Sequence, residues 1–460
     1  MKKVVILILF SMVALMSFAS VSDLAGMIPT NSSNVFVCEN LDKVYSDLKE
    51  TVLVGTVMNT LGIEMILKQY VEITAYNQGL DPEEIYNSLG GDIAFSLFDG
   101  SEMIFIMGPV DKPEAVKEAL TGLLGLGASF GVEAEVNIQI SGSYIYIGSL
   151  DAYASTQKGF DVNLITSDNE NVFGINYMKN DDIESITEMS VENSTLIIDT
   201  IAELVDPANI DLMNEIVDPA GIHALIDSPH LNTGVIMFKM MSFENYEKVV
   251  SVLENNIAPI LGQGGDLVDL DSLKEVLNFV QEYVIDLEGS AMVDIALDTE
   301  ALLGSMMAMP TADGEVEANP IDVVVRVGYN ASEDKLKSLL DALEMDYVDE
   351  GDYLRMVPEE EEGFEPEAPT FLWVDNNMAY FSLKDKPSTM NLLNNSENAL
   401  ESDVYYELAD VYPLSGTMFF EGFMDVSTIL GSLLGMEFDS GIYFGASYSD
   451  PILEGVFVLK

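Results

Sequence analysis

Residues 89–124 decide the fold, and their sequence is LGGDIAFSLFDGSEMIFIMGPVDKPEAVKEALTGLL. In IAFSLF, the residues Ile93, Phe95 and Leu97 alternate with Ala94, Ser96 and Phe98. The turn DGSE follows, and then MIFIMG. This order predicts a β-hairpin with one covered face. Asp111 then begins a helix with Pro113 in its first turn, and the apolar spacing up to Leu124 predicts an amphipathic helix. Beyond Gly131, VEAEVNIQI and YIYIGSL are predicted to form two more strands, which completes a ββαββ unit.

The same order returns in residues 287–343, with LEGSAMVDIAL and IDVVVRVGY as strands and ASEDKLKSLLDAL as the helix. Four pairs of landmarks are 200, 198, 219 and 234 residues apart: Pro29 and Pro229, Gly91 and Gly289, Met103 and Asp322, and Tyr146 and Tyr380. The spacing grows only where an insertion precedes residue 321 or residue 371. The sequence therefore predicts an old internal duplication with loop insertions.

We therefore expect an α+β fold of two related halves, each with a largely antiparallel sheet built from ββαββ-like units and with helices packed on one face. Residues 1–19 are predicted to be a signal peptide, 20–220 a first repeat domain, and 221–460 a second repeat domain that carries acidic and Met-rich loop insertions. A strand is expected near residues 172–178 and a helix at Thr195–Leu204. Further helices are expected at 41–50, 243–254, 272–285 and 332–343.

The first residues have the pattern of a secretory signal. Lys2 and Lys3 precede an apolar run over residues 4–15, and Ser17 and Ala19 supply the small side chains that a signal peptidase needs. The apolar segment is shorter than the roughly 20 residues that span a bilayer. No cysteine directly follows the cleavage site, so a lipid anchor is unsupported. We expect a soluble exported protein, periplasmic or extracellular, with no transmembrane segment after cleavage.

The charge is strongly acidic, with 78 Asp and Glu against 19 Lys and Arg and a net charge of −59. Nucleic-acid binding is excluded, because it depends on clustered basic residues, and docking on anionic lipid is disfavoured for the same reason. A solvated acidic surface explains the excess, and weak binding of divalent cations stays open. Cys38 is the one cysteine. An internal disulfide is therefore excluded, and core burial must stabilise the fold.

Several segments together resemble a known family. They are an IP turn with a short strand and helix, the segment GLDPEEIYNSLGGDIAFSL, a hairpin, a D-x-P helix and the strand GSYIYIG. This order resembles a large domain-of-unknown-function family of exported bacterial proteins with repeated α+β units. The resemblance covers most of the mature chain and implies export and a repeated α+β architecture. It carries over no catalytic residue, and the acidic and Met-rich insertions depart from its pattern.

Motifs of hydrolases occur without the context that their chemistry needs. Residues 127–131, GASFG, match G-x-S-x-G, but a helix is predicted before Ser129 and a strand after it, the reverse of a nucleophile elbow. The pattern S-x-x-K begins at Ser46, Ser155 and Ser332, and no K-T-G follows any of them. We therefore predict no catalytic residue.

Metal and cofactor motifs are also incomplete. His223 and His230 are seven residues apart, whereas zinc-binding helices place two histidines four apart. Asp266, Asp269 and Asp271 lack the spacing of an EF-hand loop. The acidic run 359–362 is interpreted as a solvated loop, and the methionines of GSMMAMP, residues 304–310, as adaptable apolar packing. We predict no metal site and no cofactor.

The leading hypothesis is a non-enzymatic exported envelope protein that acts by binding or scaffolding, with an envelope protein or an apolar ligand as its partner. The first alternative is a carrier of an apolar ligand held between the two halves, which predicts an apolar cavity. The second alternative is a hydrolase, which predicts an open cleft with converging carboxylates or a contact between a serine and a base.

Overall fold

The computed structural model describes residues 21–39, 41–51, 53–56, 63–79, 81–83, 91–129, 137–239, 287–297, 321–329, 332–357, 369–396, 398–427 and 439–460. The chain divides into two compact units. The first unit contains Met1–Asp206 and Val456–Lys460, and the second contains Pro207–Gly455. The predicted domain ranges 20–220 and 221–460 stay predictions. The signal peptide, most of both insertions and the helices predicted at 243–254 and 272–285 lie outside the described residues.

The first unit contains five of the labelled helices and eight strands. They are α1 (Val21–Ala25), β1 (Ser32–Cys38), α2 (Leu41–Glu50), α3 (Ile63–Gln78), β2 (Ile93–Phe98), β3 (Glu102–Met107), α4 (Pro113–Ser129), β4 (Ile138–Ser141), β5 (Tyr144–Gly148), α5 (Leu150–Ser155), β6 (Val172–Lys179), β7 (Ile183–Glu192) and β8 (Thr195–Leu204). The hairpin of β2 and β3 and the helix α4 confirm the predicted order strand, turn, strand and helix.

The remaining elements follow in chain order from residue 207. They are α6 (Pro207–Ile216), α7 (His223–Ile226), β9 (Gly234–Lys239), β10 (Leu287–Leu297), β11 (Ile321–Tyr329), α8 (Glu333–Ala342), β12 (Tyr347–Asp349), β13 (Leu354–Met356), β14 (Phe371–Asp375), β15 (Met378–Ser382), α9 (Lys386–Asn395), α10 (Asp403–Ala409), β16 (Thr417–Asp425), β17 (Gly441–Ser449) and β18 (Ile452–Leu459). Among the described residues, no helix is both long and apolar enough to cross a membrane.

The predicted α+β class is wrong, because the fold is predominantly β. Strand residues outnumber helical residues, and within each unit antiparallel ladders join neighbouring strands of the described residues. Thr195–Leu204, predicted as a helix, is strand β8 and pairs along its whole length with β7. Asn193 and Ser194 connect the two strands with φ angles of 51° and 64°. Two positive φ angles are typical of a type I′ hairpin turn, and β-branched residues favour the strand.

The expectation of helices on one face is also corrected in the first unit, where both faces of the sheet are buried. Phe105 and Met107 pack with side chains of α2, α3 and α4 on one face. Ile104 and Ile106 pack with side chains of α1 and its surroundings on the other. The physical reason lies in β3, whose sequence EMIFIM has no polar face. A strand that is apolar on both sides needs cover on both sides.

Both units have the same order of strands. In the first unit the ladders run β4–β5–β3–β2–β1–β6–β7. In the second they run β14–β15–β11–β10–β9–β16–β17, and β13 and β12 continue beyond β14. Seven strands therefore match in order and direction. This agreement favours an internal duplication.

The ladder registers show which residues of the two units correspond. Phe36, Phe95, Phe105 and Ile147 stand opposite one another across β1, β2, β3 and β5, as Ile236, Val293, Val325 and Phe381 do across β9, β10, β11 and β15. Three of these pairs keep the 200-, 198- and 234-residue spacings of the sequence landmarks. For β3 and β11 the spacing is 220 rather than 219. The difference matters, because a slip of one residue moves every side chain to the opposite face.

Candidate functional site

A histidine, an aspartate and an arginine lie together inside the second unit. His230 precedes β9, Asp294 lies in β10 and Arg326 lies in β11. Arg326 stands opposite Met292, two residues from Asp294, so the side chains of Asp294 and Arg326 share one face of the sheet. The exposed fractions of His230, Asp294 and Arg326 are 0%, 0% and 3%. These charged groups must therefore find their partners within the protein.

Asp294 is the centre of this cluster, because both of its carboxylate oxygens accept hydrogen bonds. His230 Nδ1 lies 2.8 Å from Oδ1, and Arg326 Nε and Nη2 donate to Oδ2 at 3.0 and 2.6 Å. Arg326 Nη2 is 3.1 Å from His230 Nδ1, since both groups approach the same carboxylate. Arg326 and the main-chain N–H of Leu231, 3.4 Å from Oδ1, thus supply hydrogen bonds that a buried carboxylate requires.

Ser228 completes the serine–base contact that the hydrolase alternative predicts. Its Oγ lies 3.3 Å from His230 Nε2, but the carbonyl oxygen of Leu225 is only 2.9 Å from the same nitrogen. A carbonyl only accepts hydrogen bonds, so this contact is favourable when Nε2 carries a proton. Such a nitrogen cannot take a proton from Ser228, whose own hydroxyl donates to the Leu225 carbonyl at 2.6 Å. The arrangement therefore lacks the free base of a catalytic triad.

Glu421 is a further buried acid on the same face of the sheet. It continues the ladder row of Arg326, Met292 and Met237 onto β16, and 2% of it is exposed. Tyr405 Oη donates to its Oε1 at 2.7 Å. Its Oε2 has no hydrogen-bond partner among the residues that the structure describes. Burial raises the pKa of the Glu421 carboxyl above its ordinary value, and the hydroxyl groups of Tyr405 and Tyr443 only partly oppose this.

A cleft of about 660 Å³ opens in the second unit beside α6 and α7. Side chains from α6, from the residue after it and from residues 414–418 form its apolar walls: Met213, Val217, Leu414 and Met418. Polar side chains from α6, α7, the start of β16 and the end of β17 interrupt these walls: Asn214, His223, Ser415, Thr417, Tyr448 and Asp450. Polar and apolar side chains thus line the cleft in similar measure.

The polar groups of the cleft are oriented by one another. Tyr448 Oη donates to Asn214 Oδ1 at 3.2 Å, and Asn214 Nδ2 donates to Asp450 Oδ2 at 3.2 Å. Burial raises the pKa of the Tyr448 hydroxyl, and the negative charge of Asp450 adds to the effect, so Tyr448 stays a donor near neutral pH. This chain of hydrogen bonds connects Tyr448 through Asn214 to the Asp450 carboxylate, which is exposed in the cleft.

Helix α7 connects the buried cluster with the cleft. His223, at the start of α7, is exposed and lines the cleft. Leu225, two residues later, presents its carbonyl oxygen to Ser228 and His230. Just before α7, the Ile222 N–H donates to the carbonyl oxygen of Met418, another lining residue, at 3.0 Å. Residues 222–225 therefore contact both the buried cluster and the cleft wall.

The structure places the residues that the sequence analysis considered in different surroundings. Ser129 ends helix α4, so a helix does precede it. His223 and His230 are not joined in one site, because the first faces the cleft and the second lies in the core. Cys38 is 3% exposed, and burial raises the pKa of its thiol. Asp266, the acidic run 359–362 and the GSMMAMP methionines lie outside the described residues. Within the described ranges, no group of three or more His, Cys, Asp or Glu is placed to hold a metal ion.

The sequence interpretation missed both the buried cluster and the cleft. The available signal was a charged residue in the middle of a strand, as with Asp294 in SAMVDIAL and Arg326 in DVVVRVG. Arg326 is also one of only two arginines, with Arg355. A charge inside an apolar strand is costly unless it is paired, so two such charges in neighbouring predicted strands indicate a buried pair.

No protein family, curated protein or solved structure matches the chain. The resemblance to a family of exported bacterial proteins therefore stays a prediction.

Proposed function

We propose that the chain is a non-enzymatic binding protein and that its second unit binds a small organic cation with an apolar body. The observation that carries this proposal is the cleft of about 660 Å³ beside α6 and α7. Its size lies within the roughly 300–1,000 Å³ of typical ligand sites. With the predicted signal peptide, the proposed place of action is the cell envelope or the outside of the cell.

The charge of the ligand follows from two features. The Asp450 carboxylate, hydrogen-bonded to Asn214, is an acceptor for a cationic group, and the apolar walls suit an alkyl body. The net charge of −59 draws cations toward the surface and repels anions. The polar side chains of the cleft support the apolar-carrier alternative less well, because an alkyl chain alone offers them no hydrogen bond.

One observation favours the hydrolase alternative, namely the contact between Ser228 and His230. Two features of the same cluster oppose it. The Leu225 carbonyl accepts from both side chains, and His230 is fully buried. Hydrolysis of a chromogenic ester by the pure full chain, abolished by Ser228→Ala, would establish the hydrolase alternative in place of binding.

The proposal is tested by titrating the full chain with four probes of equal alkyl length, followed by isothermal calorimetry. Hexylamine and hexyltrimethylammonium should bind, whereas hexanol and hexanoate should bind at least about tenfold more weakly, because a charge-assisted hydrogen bond contributes roughly 1.5–3 kcal/mol. Asp450→Asn should weaken the binding of hexylamine by about tenfold. Asp168→Asn, which removes the same charge from an exposed site in the first unit, is the matched control. Equal binding of all four probes, or of none, would refute the proposal.

A further inference from the structure

The buried charges of the second unit have apolar or uncharged counterparts in the first. Across β16, β9, β10 and β11, the ladder row is Glu421, Met237, Met292 and Arg326. Across β6, β1, β2 and β3, the corresponding row is Ile175, Val37, Ala94 and Ile106. All four residues of the first-unit row are at most 5% exposed and belong to one apolar core. In the first unit this row therefore carries no charged side chain.

Asp294 and His230 also correspond to uncharged residues of the first unit. Asp294 stands opposite Val235, and the corresponding pair in the first unit is Val35 and Ser96. The spacing of 200 residues between β1 and β9 places Thr30 at the position of His230. Uncharged side chains thus stand in the first unit where the second has its aspartate and its histidine.

The helices before the first strand of each unit are held in different ways. In the first unit, Leu24 of α1 and Ile28 after it are fully buried, so apolar packing anchors the helix. In the second unit, Ser228 stands at the position of Ile28, 200 residues on. The Leu225 carbonyl of α7 instead accepts hydrogen bonds from Ser228 and His230. Leu225 and the neighbouring Ile222 are buried as well, so the charged cluster adds hydrogen bonds to the apolar packing of this helix.

Stability alone does not account for charged residues at positions where the first unit has uncharged ones. A buried ion pair is often no more stabilising than the apolar side chains that could take its place. What the cluster adds is a fixed donor at the carbonyl of α7, because Arg326 contacts His230 Nδ1 and is itself held by Asp294. Helix α7 carries His223 into the cleft.

We propose that His230, Asp294 and Arg326 are positioning residues that hold α7 in the geometry that the cleft requires for binding. This inference rests on the proposed function and deepens it. The three residues do not contact the ligand; they act through the Leu225 carbonyl and through the short helix that ends at Ile226.

The test replaces the cluster with the side chains of the first unit in the full chain, as the triple variant His230→Thr, Asp294→Ser and Arg326→Ile. We expect the variant to fold, to bind hexylamine about tenfold to a hundredfold more weakly, and to show faster hydrogen exchange of the amides in residues 222–228. The matched control is Thr389→Val. It removes a buried hydrogen bond between α9 and Ser382 of β15, in the same unit. The control should leave both readouts unchanged.

The outcomes separate this inference from the proposed function. If the wild-type chain binds none of the probes, the proposed function fails, and the exchange of residues 222–228 still tests the positioning. If the triple variant folds, binds hexylamine like the wild type and exchanges like it, the positioning inference is overturned. If the triple variant does not fold, His230→Gln, which leaves the Asp294–Arg326 pair intact, is tested with the same two readouts. Wild-type values in that variant would also overturn the inference.

Discussion

Replacing Arg326 alone should destabilise the second unit far more than replacing Arg326 and Asp294 together. Arg326→Ile leaves the Asp294 carboxylate fully buried with no partner for Oδ2 among the contacts described. Losing one partner of a buried ion pair costs about 3–5 kcal/mol, because a charge remains without compensation. Asp294→Ser strands the Arg326 guanidinium in the same way and should cost a similar amount.

The double variant Asp294→Ser and Arg326→Ile should lie close to the wild type in stability or exceed it. Both new side chains are those of the first unit at the corresponding positions, Ser96 and Ile106. Replacing a buried ion pair with apolar groups is often neutral or stabilising. The two single changes would then be strongly non-additive, with a coupling free energy of about 3 kcal/mol or more.

The only tryptophan of the chain makes this measurement specific to the second unit. Trp373 is fully buried and stacks on Tyr380 with ring centroids 5.0 Å apart, and Tyr380 stands opposite Arg326 in the ladder. Tryptophan fluorescence during thermal unfolding therefore reports on this core. For a unit of this size, 1 kcal/mol shifts the midpoint by about 2–4 °C, so each single variant should melt roughly 6–20 °C lower.

The control is the same cycle on the exposed pair Lys337 and Asp349, whose Nζ and Oδ2 atoms are 2.7 Å apart. Solvent screens this pair, so no measurable coupling is expected. If the losses from Arg326→Ile and Asp294→Ser simply add in the double variant, the two residues do not form the buried pair on which this reasoning depends.

Three further predictions concern single sites. Burial holds the pKa of Glu421 above its ordinary value of 4.5, so the folded state binds this proton more tightly, and stability is lost as pH rises from that value through the folded pKa. Glu421→Gln should therefore melt above the wild type near neutral pH and lose this advantage below about pH 4.5; a constant difference across pH would contradict the assignment. Ser194→Gly should stabilise the β7–β8 hairpin by roughly 0.5–1 kcal/mol in urea unfolding, because glycine adopts the φ of 64° without strain, whereas Ser194→Val should destabilise it. Burial raises the pKa of the Cys38 thiol, so Ellman's reagent should label it only at the rate of unfolding, and prompt labelling of the native chain would disprove its burial.

Local chemistry was sufficient to predict the hairpins of the two related units. Asp99 and Gly100, in the predicted turn DGSE, both have positive φ, as a tight hairpin turn requires. The strands predicted from LEGSAMVDIAL and IDVVVRVGY have the bounds Leu287–Leu297 and Ile321–Tyr329 that the structure shows. Turn residues and alternation act within a few positions along the chain, so the sequence reveals them directly.

The fold class was not predictable by the same means, because pairing between distant strands decides it. β6, for example, pairs with β1, more than a hundred residues earlier in the chain. The β7–β8 hairpin was missed because the apolar spacing of TLIIDTIAEL also fits a helix. Its Asn193–Ser194 turn carried the deciding signal. Short apolar segments remain ambiguous between helix and strand when periodicity alone is used.

The buried cluster was hidden because its strands have their more polar side chains inside. In β10 the inward residues are buried while the more apolar outward set is only half-buried: Ser290, Met292, Asp294 and Ala296 against Ala291, Val293 and Ile295. Alternation in the sequence assigns the apolar set to the core, so it selects the opposite face. Only the ladder between β10 and β11 shows that Asp294 has Arg326 as its partner.

The methionines of the second-unit row explain how a core of this shape accommodates charges. Met237 and Met292 stand between Glu421 and Arg326, where the first unit has the smaller Val37 and Ala94. An unbranched thioether side chain adapts to irregular space, so it fills the gaps beside an acid and a guanidinium without a fixed shape of its own. The folded core should therefore tolerate the loss of some charges but not of others. Glu421 can be neutralised alone. Arg326 can be replaced only together with Asp294, because each of these two residues neutralises the charge of the other in the core.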